Sequence, residues 1–326
     1  MMGNGYLAFE EEMNDYVLIL NVDGVTASLP REITPGHLLD RATPQQVDEI
    51  KAVIGRYWPS AERIASPYEH DWIERNTSSG KELRAVPLPC DQWKYFVVNF
   101  TGRSIDHHAI EIASCLTSTE LVFGFSTLHG CGQDHLPGIG YHPERMFHFF
   151  EGGPREWKRD FVVLANEDID RLSARCLQIE QHEHEFADLR MRLNDFIKMR
   201  MLDRRSNLAL LGYFALIESI LTHAPKLSDP YDSITRQIKS KMALLHERFE
   251  FAPDYRVFGG VKPDKIWSSL YSYRSKVAHG SQPDFSKDLK IIKSHETALY
   301  FIRSATRALL AQVLKEPKLI RDLQQC

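Results

Sequence analysis

The run Ser268-Ser269-Leu270-Tyr271-Ser272-Tyr273-Arg274-Ser275-Lys276-Val277-Ala278-His279-Gly280 decides how the second half of the chain is read. Apolar side chains at Ile266, Leu270, Tyr273 and Val277 recur at steps of four, three and four, which predicts an amphipathic helix from Pro263 to about Ala278. Gly280 supplies its stop, because a residue without Cβ readily enters the left-handed conformation that closes a helix, and Pro283 bars continuation. His279 therefore stands at the helix end. On an unbroken helix Arg274 and His279 would point about 140° away from each other. A break at Gly280 is expected to let them converge.

The neighbouring segments carry the same period. Leu210, Phe214, Ile217 and Leu221 predict a helix ending before Pro225, and Ile234, Ile238, Met242, Leu245 and Phe249 predict the next. Leu289, Ile292, Leu299, Ile302, Leu309 and Val313 predict one long last helix. Upstream, Asn166 can cap a helix carrying Ile169, Leu172, Cys176 and Ile179. No segment beyond it alternates as a half-buried strand does. Residues 166–326 are expected to pack as an all-α bundle.

Residues 1–165 read as a mixed α/β domain, so the fold class expected for the whole is α+β. Tyr16 to Val22 is a strand candidate, and Asp23-Gly24 before Val25 to Leu29 suggests a hairpin turn. Val47, Ile50, Ile54 and Tyr57 predict a helix from Pro44 with Thr43 as its cap. Pro59 to Pro89 reads as irregular, with Asn76 to Gly80 as an exposed loop. Further strands are expected at Trp93–Phe100, Leu121–Phe125 and Phe161–Leu164, and a helix at Ile105–Leu116.

An arginine and a histidine separated by four residues at a helix end, written here Leu270-Tyr271-x-x-Arg274-Ser275-Lys276-x-x-His279-Gly280, resemble the signature of the HEPN domain, particularly its Apea-like branch. The resemblance covers about Arg190 to Leu314. It implies a helical bundle that dimerises and the active site of a metal-independent ribonuclease, with Arg274 and His279 as the catalytic pair. Many such proteins are toxins or antiviral effectors. Members of the wider family often place Asn, Asp or His directly after the arginine; Ser275 stands here, as it often does in the Apea-like branch. Glu218 resembles the acidic residue these proteins carry on an earlier helix, and would hold Arg274 or His279 in place.

Spacing alone does not single this pair out. Arg31/His37, Arg63/His70, Arg103/His108 and Arg175/His182 also have four to six residues between them. What distinguishes Arg274 and His279 is a helix ended by glycine inside a helical segment. The structural alternative is an arginine paired on a helix flank, a histidine capping a C-terminus whose dipole favours a cation, and Glu218 as a plain surface or salt-bridged glutamate.

The chemistry suits the residue types. RNA carries its own nucleophile, so a nuclease without metal must deprotonate the 2′-hydroxyl, protonate the departing 5′-oxygen and stabilise the charged phosphorane between them. Histidine titrates near neutral pH, which makes His279 the candidate general acid or base. Arginine keeps its charge and presents a planar fork, which makes Arg274 the candidate phosphate clamp. The expected products carry 2′,3′-cyclic phosphate and 5′-hydroxyl ends, with no cofactor or metal required. Two pairs meeting across a dimer axis would supply both proton transfers, as the resemblance implies and isologous symmetry permits. Tyr271 and Tyr273 could stack on RNA, although Tyr273 lies on the buried face. The rival reading is a catalytically silent HEPN module that binds RNA, a nucleotide or a partner protein.

Composition bounds these readings. The chain has 326 residues, 43% hydrophobic and 26% charged, the balance of an ordinary globular protein with room for two cores. No apolar run reaches the length of a membrane span, and Met1 to Glu12 has acidic residues where a secretory signal would have basic and apolar ones, so a cytoplasmic protein without a membrane partner is expected. Cys90, Cys115, Cys131, Cys176 and Cys326 are odd in number and widely spaced, which argues against a disulfide framework. Residues 201–326 hold 20 Lys and Arg against 13 Asp and Glu, whereas residues 1–200 hold 20 against 31. The basic end is the end with the motif, which suits a polyanion such as RNA. The acidic first domain is expected to sense a regulatory ligand or partner and restrain the second. His129, Cys131, His135, His142 and His148 invite a metal reading, but match no zinc spacing.

Overall fold

The computed structural model describes residues 15–57, 65–77, 80–100, 105–128, 138–141, 143–183, 187–203, 205–225 and 233–326. The fold is α+β. The chain divides into two compact units: residues up to Glu111 with Leu121–Ser173, and Ile112–Glu120 with Ala174–Cys326. Strands belong to the first and helices dominate the second.

The first unit is built on a six-stranded antiparallel sheet. Its strands are β1 (Asp15–Ile19), β3 (Arg31–Thr34), β4 (His37–Arg41), β7 (Phe96–Phe100), β8 (Phe123–Leu128) and β9 (Gly138–Tyr141), in the order β3-β4-β7-β1-β8-β9. Side chains alternate across a strand, and in β1 both Leu18 and its neighbours Val17 and Ile19 are buried, so both faces are covered. On one face Tyr16, Leu18, Leu20, Val97 and Phe125 join Ile50, Phe150 and Trp157 in a core rich in aromatic rings. Helix α1 (Pro44–Tyr57) supplies Val47, Ile50 and Ile54 to that core, as its spacing predicts. Thr43 Oγ1 accepts from the Gln46 amide at 3.3 Å while Gln46 Oε1 accepts from the Thr43 amide at 2.9 Å, a reciprocal cap for the first turn. Helix α3 (Pro143–Asp160) and residues 105–111 of helix α2 (Ile105–Cys115) complete this unit, the end of α2 belonging to the second.

Two expectations for this unit are corrected. Asp23-Gly24 does not turn a hairpin: β2 (Val22–Val25) runs through it and pairs in parallel with β10 (Val162–Leu164), Gly24 opposite Val163. Both edges of β1 are occupied by β7 and β8, so β2 has to find another partner. The stretch from Pro59 to Pro89 is not irregular throughout, because β5 (His70–Thr77) and β6 (Gly80–Pro87) pair antiparallel. Ile73 and most of β6 are exposed. Trp72 packs against the aromatic core, but Glu74 and Asn76 further along the same face are exposed, so the strands lack the alternation by which a sequence reveals them.

The second unit contains α5 (Ala187–Arg200), α6 (Asn207–Leu221), α7 (Ile234–Leu245), α8 (Pro263–Ala278), α9 (His295–Lys315) and α10 (Pro317–Gln325), together with residues from the end of α4 (Asn166–Glu183). Helix α6 is the hub: it packs against α5, α7, α8, α9 and α10. Its Leu210, Phe214, Ile217 and Leu221 are all buried. The expected long last helix is shorter, since Lys293 takes a φ of 69° and Ser294 caps a new start by accepting from the Thr297 amide at 3.2 Å. Leu289 and Ile292 are buried from the preceding turn rather than from the helix. Helix α7 likewise ends at Leu245, and a short 3₁₀ turn carries the chain to buried Phe249.

Candidate active site at the end of helix α8

Helix α8 begins with Pro263 at its first position and Asp264 in its first turn, both favourable at a helix N-terminus. Ile266, Trp267, Leu270 and Tyr273 form its buried stripe. Trp267 Nε1 donates to Tyr255 Oη at 2.9 Å and its ring meets Phe301 edge-on at 5.7 Å. The Tyr273 hydroxyl and His295 Nδ1, on α9, share a hydrogen bond of 2.7 Å. These contacts fix the rotation of α8, and with it the directions of Tyr271, Arg274 and Ser275.

Arg274 Nη2 donates to Glu218 Oε2 at 3.3 Å, and its guanidinium carbon lies 5.6 Å from the centre of the Tyr271 ring. Tyr271 in turn meets Phe214 of α6 edge-on. The ion pair is longer than the usual 2.7–2.9 Å of a charge-assisted bond and uses one atom of each partner. Arg274 Nε and Glu218 Oε1 are buried and make no hydrogen bond among the described residues. Burial pushes the Glu218 carboxyl above the ordinary glutamate range, with Arg274 opposing. The Tyr271 phenol is raised by burial and by Glu218, again against Arg274. The arginine is thus oriented without being saturated.

The helix stop has the predicted form. Gly280 has φ +68°, its amide donates to Val277 O at 3.1 Å, and the Ser281 amide donates to Lys276 O at 2.8 Å, the paired bonds of a Schellman cap. The Ser275 carbonyl accepts from the His279 amide at 3.1 Å. The His279 side chain is exposed.

Arg274, Glu218 and Tyr271 are therefore brought together, and Ser275 joins the site through its backbone. Arg274 and His279 are not bonded to each other among the described residues. Helix α8 is regular through Ala278 and the left-handed residue comes after His279, so the break falls beyond the pair and not between its members. Of the other arginine–histidine pairs, Arg31 is tied to Asp170 at 2.7 Å and Arg175 to Glu250 at 2.6 Å. Arg63 and Arg103 lie outside the described residues, as do His129, Cys131, His135 and His142 of the metal reading. Among the described residues no three His, Cys, Asp or Glu side chains are grouped to hold a metal ion, and no helix is long and apolar enough to cross a membrane. Sequence reasoning missed His295, whose place is legible only once α8 and α9 are packed. It also missed the acidic and basic cluster described below. No family model, curated protein or solved structure matches this chain.

Proposed function

We propose that the protein is a metal-independent endoribonuclease of the HEPN type, with an RNA substrate and a role as a toxin or antiviral effector. The observation that carries this reading is the end of α8, where an accessible histidine on a fixed cap follows an arginine held, but not saturated, by a glutamate of the neighbouring helix. Arg274 would take a non-bridging phosphate oxygen and stabilise charge on the phosphorane. His279 would accept the 2′-hydroxyl proton or donate one to the leaving 5′-oxygen. Glu218 would hold Arg274 during the reaction, with Tyr271 beneath it.

No break separates the two catalytic groups, and residues five apart on a regular helix diverge by about 140°, so a complete site is best supplied by two copies across an isologous axis. Mixing Arg274→Ala with His279→Ala protein should then restore part of the cleavage that each lacks alone. A monomer cutting at the full rate would overturn the shared site.

The first experiment is digestion of a mixed RNA pool in EDTA by the wild type, Arg274→Ala and His279→Ala. Cleavage to 2′,3′-cyclic phosphate and 5′-hydroxyl ends, abolished by either substitution, is the expected result. RNA binding that survives both substitutions, with no cleavage by the wild type, would instead establish the silent binding module, a reading favoured by the existing engagement of Arg274 with Glu218.

A further inference from the structure

Away from α8, three arginines of the second unit surround one carboxylate. Glu120 belongs to the segment Ile112–Glu120; Arg200 is the last residue of α5, and Arg303 and Arg307 stand one turn apart on α9. Arg303 Nη2 lies 2.6 Å from Glu120 Oε1, Arg200 contacts the same oxygen, and Arg307 Nη1 is 3.7 Å from Oε2. Arg307 also donates to the carbonyls of Thr117 and Ser118 and lies 4.7 Å from the centre of the Phe251 ring. Arg200 touches the Cys115 sulfur, a thiol that burial pushes up to about 11 and so keeps neutral.

The charges do not balance. Three guanidiniums cannot lose their protons in a protein, and Glu120 is the one carboxylate of the described residues that they contact. Two positive charges are left in excess in a largely desolvated site, where like charges repel strongly. Two donors, Arg200 Nε and Arg307 Nε, are also buried with no acceptor among the described residues. Arg303 keeps 31% of its side chain exposed, so the cluster opens to solvent through that residue.

We propose that the Arg200, Arg303 and Arg307 cluster binds a dianionic phosphate beside Glu120, with Arg303 as the residue that first meets it. The charge decides the class: a phosphate monoester or inorganic phosphate supplies the two negative charges required, whereas an internal RNA diester supplies one. Arginine's planar fork suits the tetrahedral oxygens. The site is separate from Arg274 and His279 and does not rest on the nuclease reading.

The test is calorimetric titration of the whole protein with inorganic phosphate, with adenosine 5′-monophosphate and with adenosine, at constant ionic strength set by chloride. Both phosphates should bind and adenosine should not. Equal affinities would identify the phosphate group alone as the ligand, and a much tighter monophosphate would identify a nucleotide. Arg303→Gln should weaken binding by about tenfold to a hundredfold, the loss of one or two charged hydrogen bonds. Arg303→Lys, which keeps the charge, should retain most of it, and Arg256→Gln, at an exposed arginine outside both sites, should change nothing. No binding by the wild type, equal binding by Arg303→Gln and wild type, or loss of binding in Arg256→Gln would overturn the proposal.

Discussion

Burial and a neighbouring guanidinium pull on Glu218 and Glu120 in opposite directions, and the winner differs. At Glu218 burial wins over the single long bond to Arg274, so its carboxyl is raised. Such a group binds its proton more tightly folded than unfolded, and stability falls as pH rises from the ordinary glutamate range through the raised value. Glu218→Gln should remove that decline, and at neutral pH should cost less than about 1 kcal/mol despite loss of the ion pair. Urea unfolding across mildly acidic to neutral pH reads both. At Glu120 the three arginines outweigh burial and hold the carboxyl at about 2. Its contribution is present above the ordinary carboxylate range and is lost as pH falls toward that value. Glu120→Gln should flatten the acid limb and, by leaving guanidiniums without their counter-charge, destabilise the neutral protein by about 3 kcal/mol. Glu218 was legible in the sequence because it sits beside an apolar helix face close to the motif. Glu120 was not, since its partners lie 80 and 183 residues away and no periodicity links them.

The bounds of α8 were legible to the residue because three local signals agree: apolar spacing, Pro263 at the start and Gly280 after the end. That agreement makes Gly280→Ala informative. A Cβ there meets nothing within 4 Å, so the penalty is confined to left-handed backbone, about 1 kcal/mol. Gly280→Asn should be better tolerated than Gly280→Ala. If His279 acts from this cap, cleavage should fall in the same order as thermal stability. Gly212 on α6 is the contrasting case, where packing decides. A Cβ there would overlap the half-buried Met199 thioether on α5, so the roughly 1 kcal/mol that alanine gains in a helix interior is set against the cost of displacing that side chain. Gly212→Ala should lower the melting temperature, and adding Met199→Ala should recover part of the loss. A stabilised single variant would mean the methionine moves aside freely. Nothing in the sequence marked Gly212 as a contact, because α5–α6 packing is set by tertiary geometry and not by local spacing.

The helical unit is discontinuous in sequence, a property of the molecule that no segment discloses by itself. Ile112, Ala113, Ser114, Cys115, Leu116 and Thr117 are all buried, yet their apolar pattern suits a core in either unit. The contacts of Glu120, Cys115 and the Thr117 and Ser118 carbonyls with Arg200, Arg303 and Arg307 mark where the segment belongs. The separation of strands from helices and the basic balance of residues 201–326 were legible, because both are sums over many positions. A contact between residue 120 and α9 is not such a sum. The consequence is practical for testing whether the first unit restrains cleavage. A fragment beginning at Asn166 removes Glu120 along with the supposed regulator, and should show reduced helicity or a lower melting temperature whatever its activity. Supplying a peptide of residues 112–120 should raise the fragment's melting temperature, and the same peptide with Glu120→Gln should do so less. If both peptides act equally, the carboxylate is not what joins the segment to the helices. Restraint is then measured as cleavage by the peptide-complemented fragment against the whole protein, and a higher rate in the fragment is the outcome that a regulatory first unit requires.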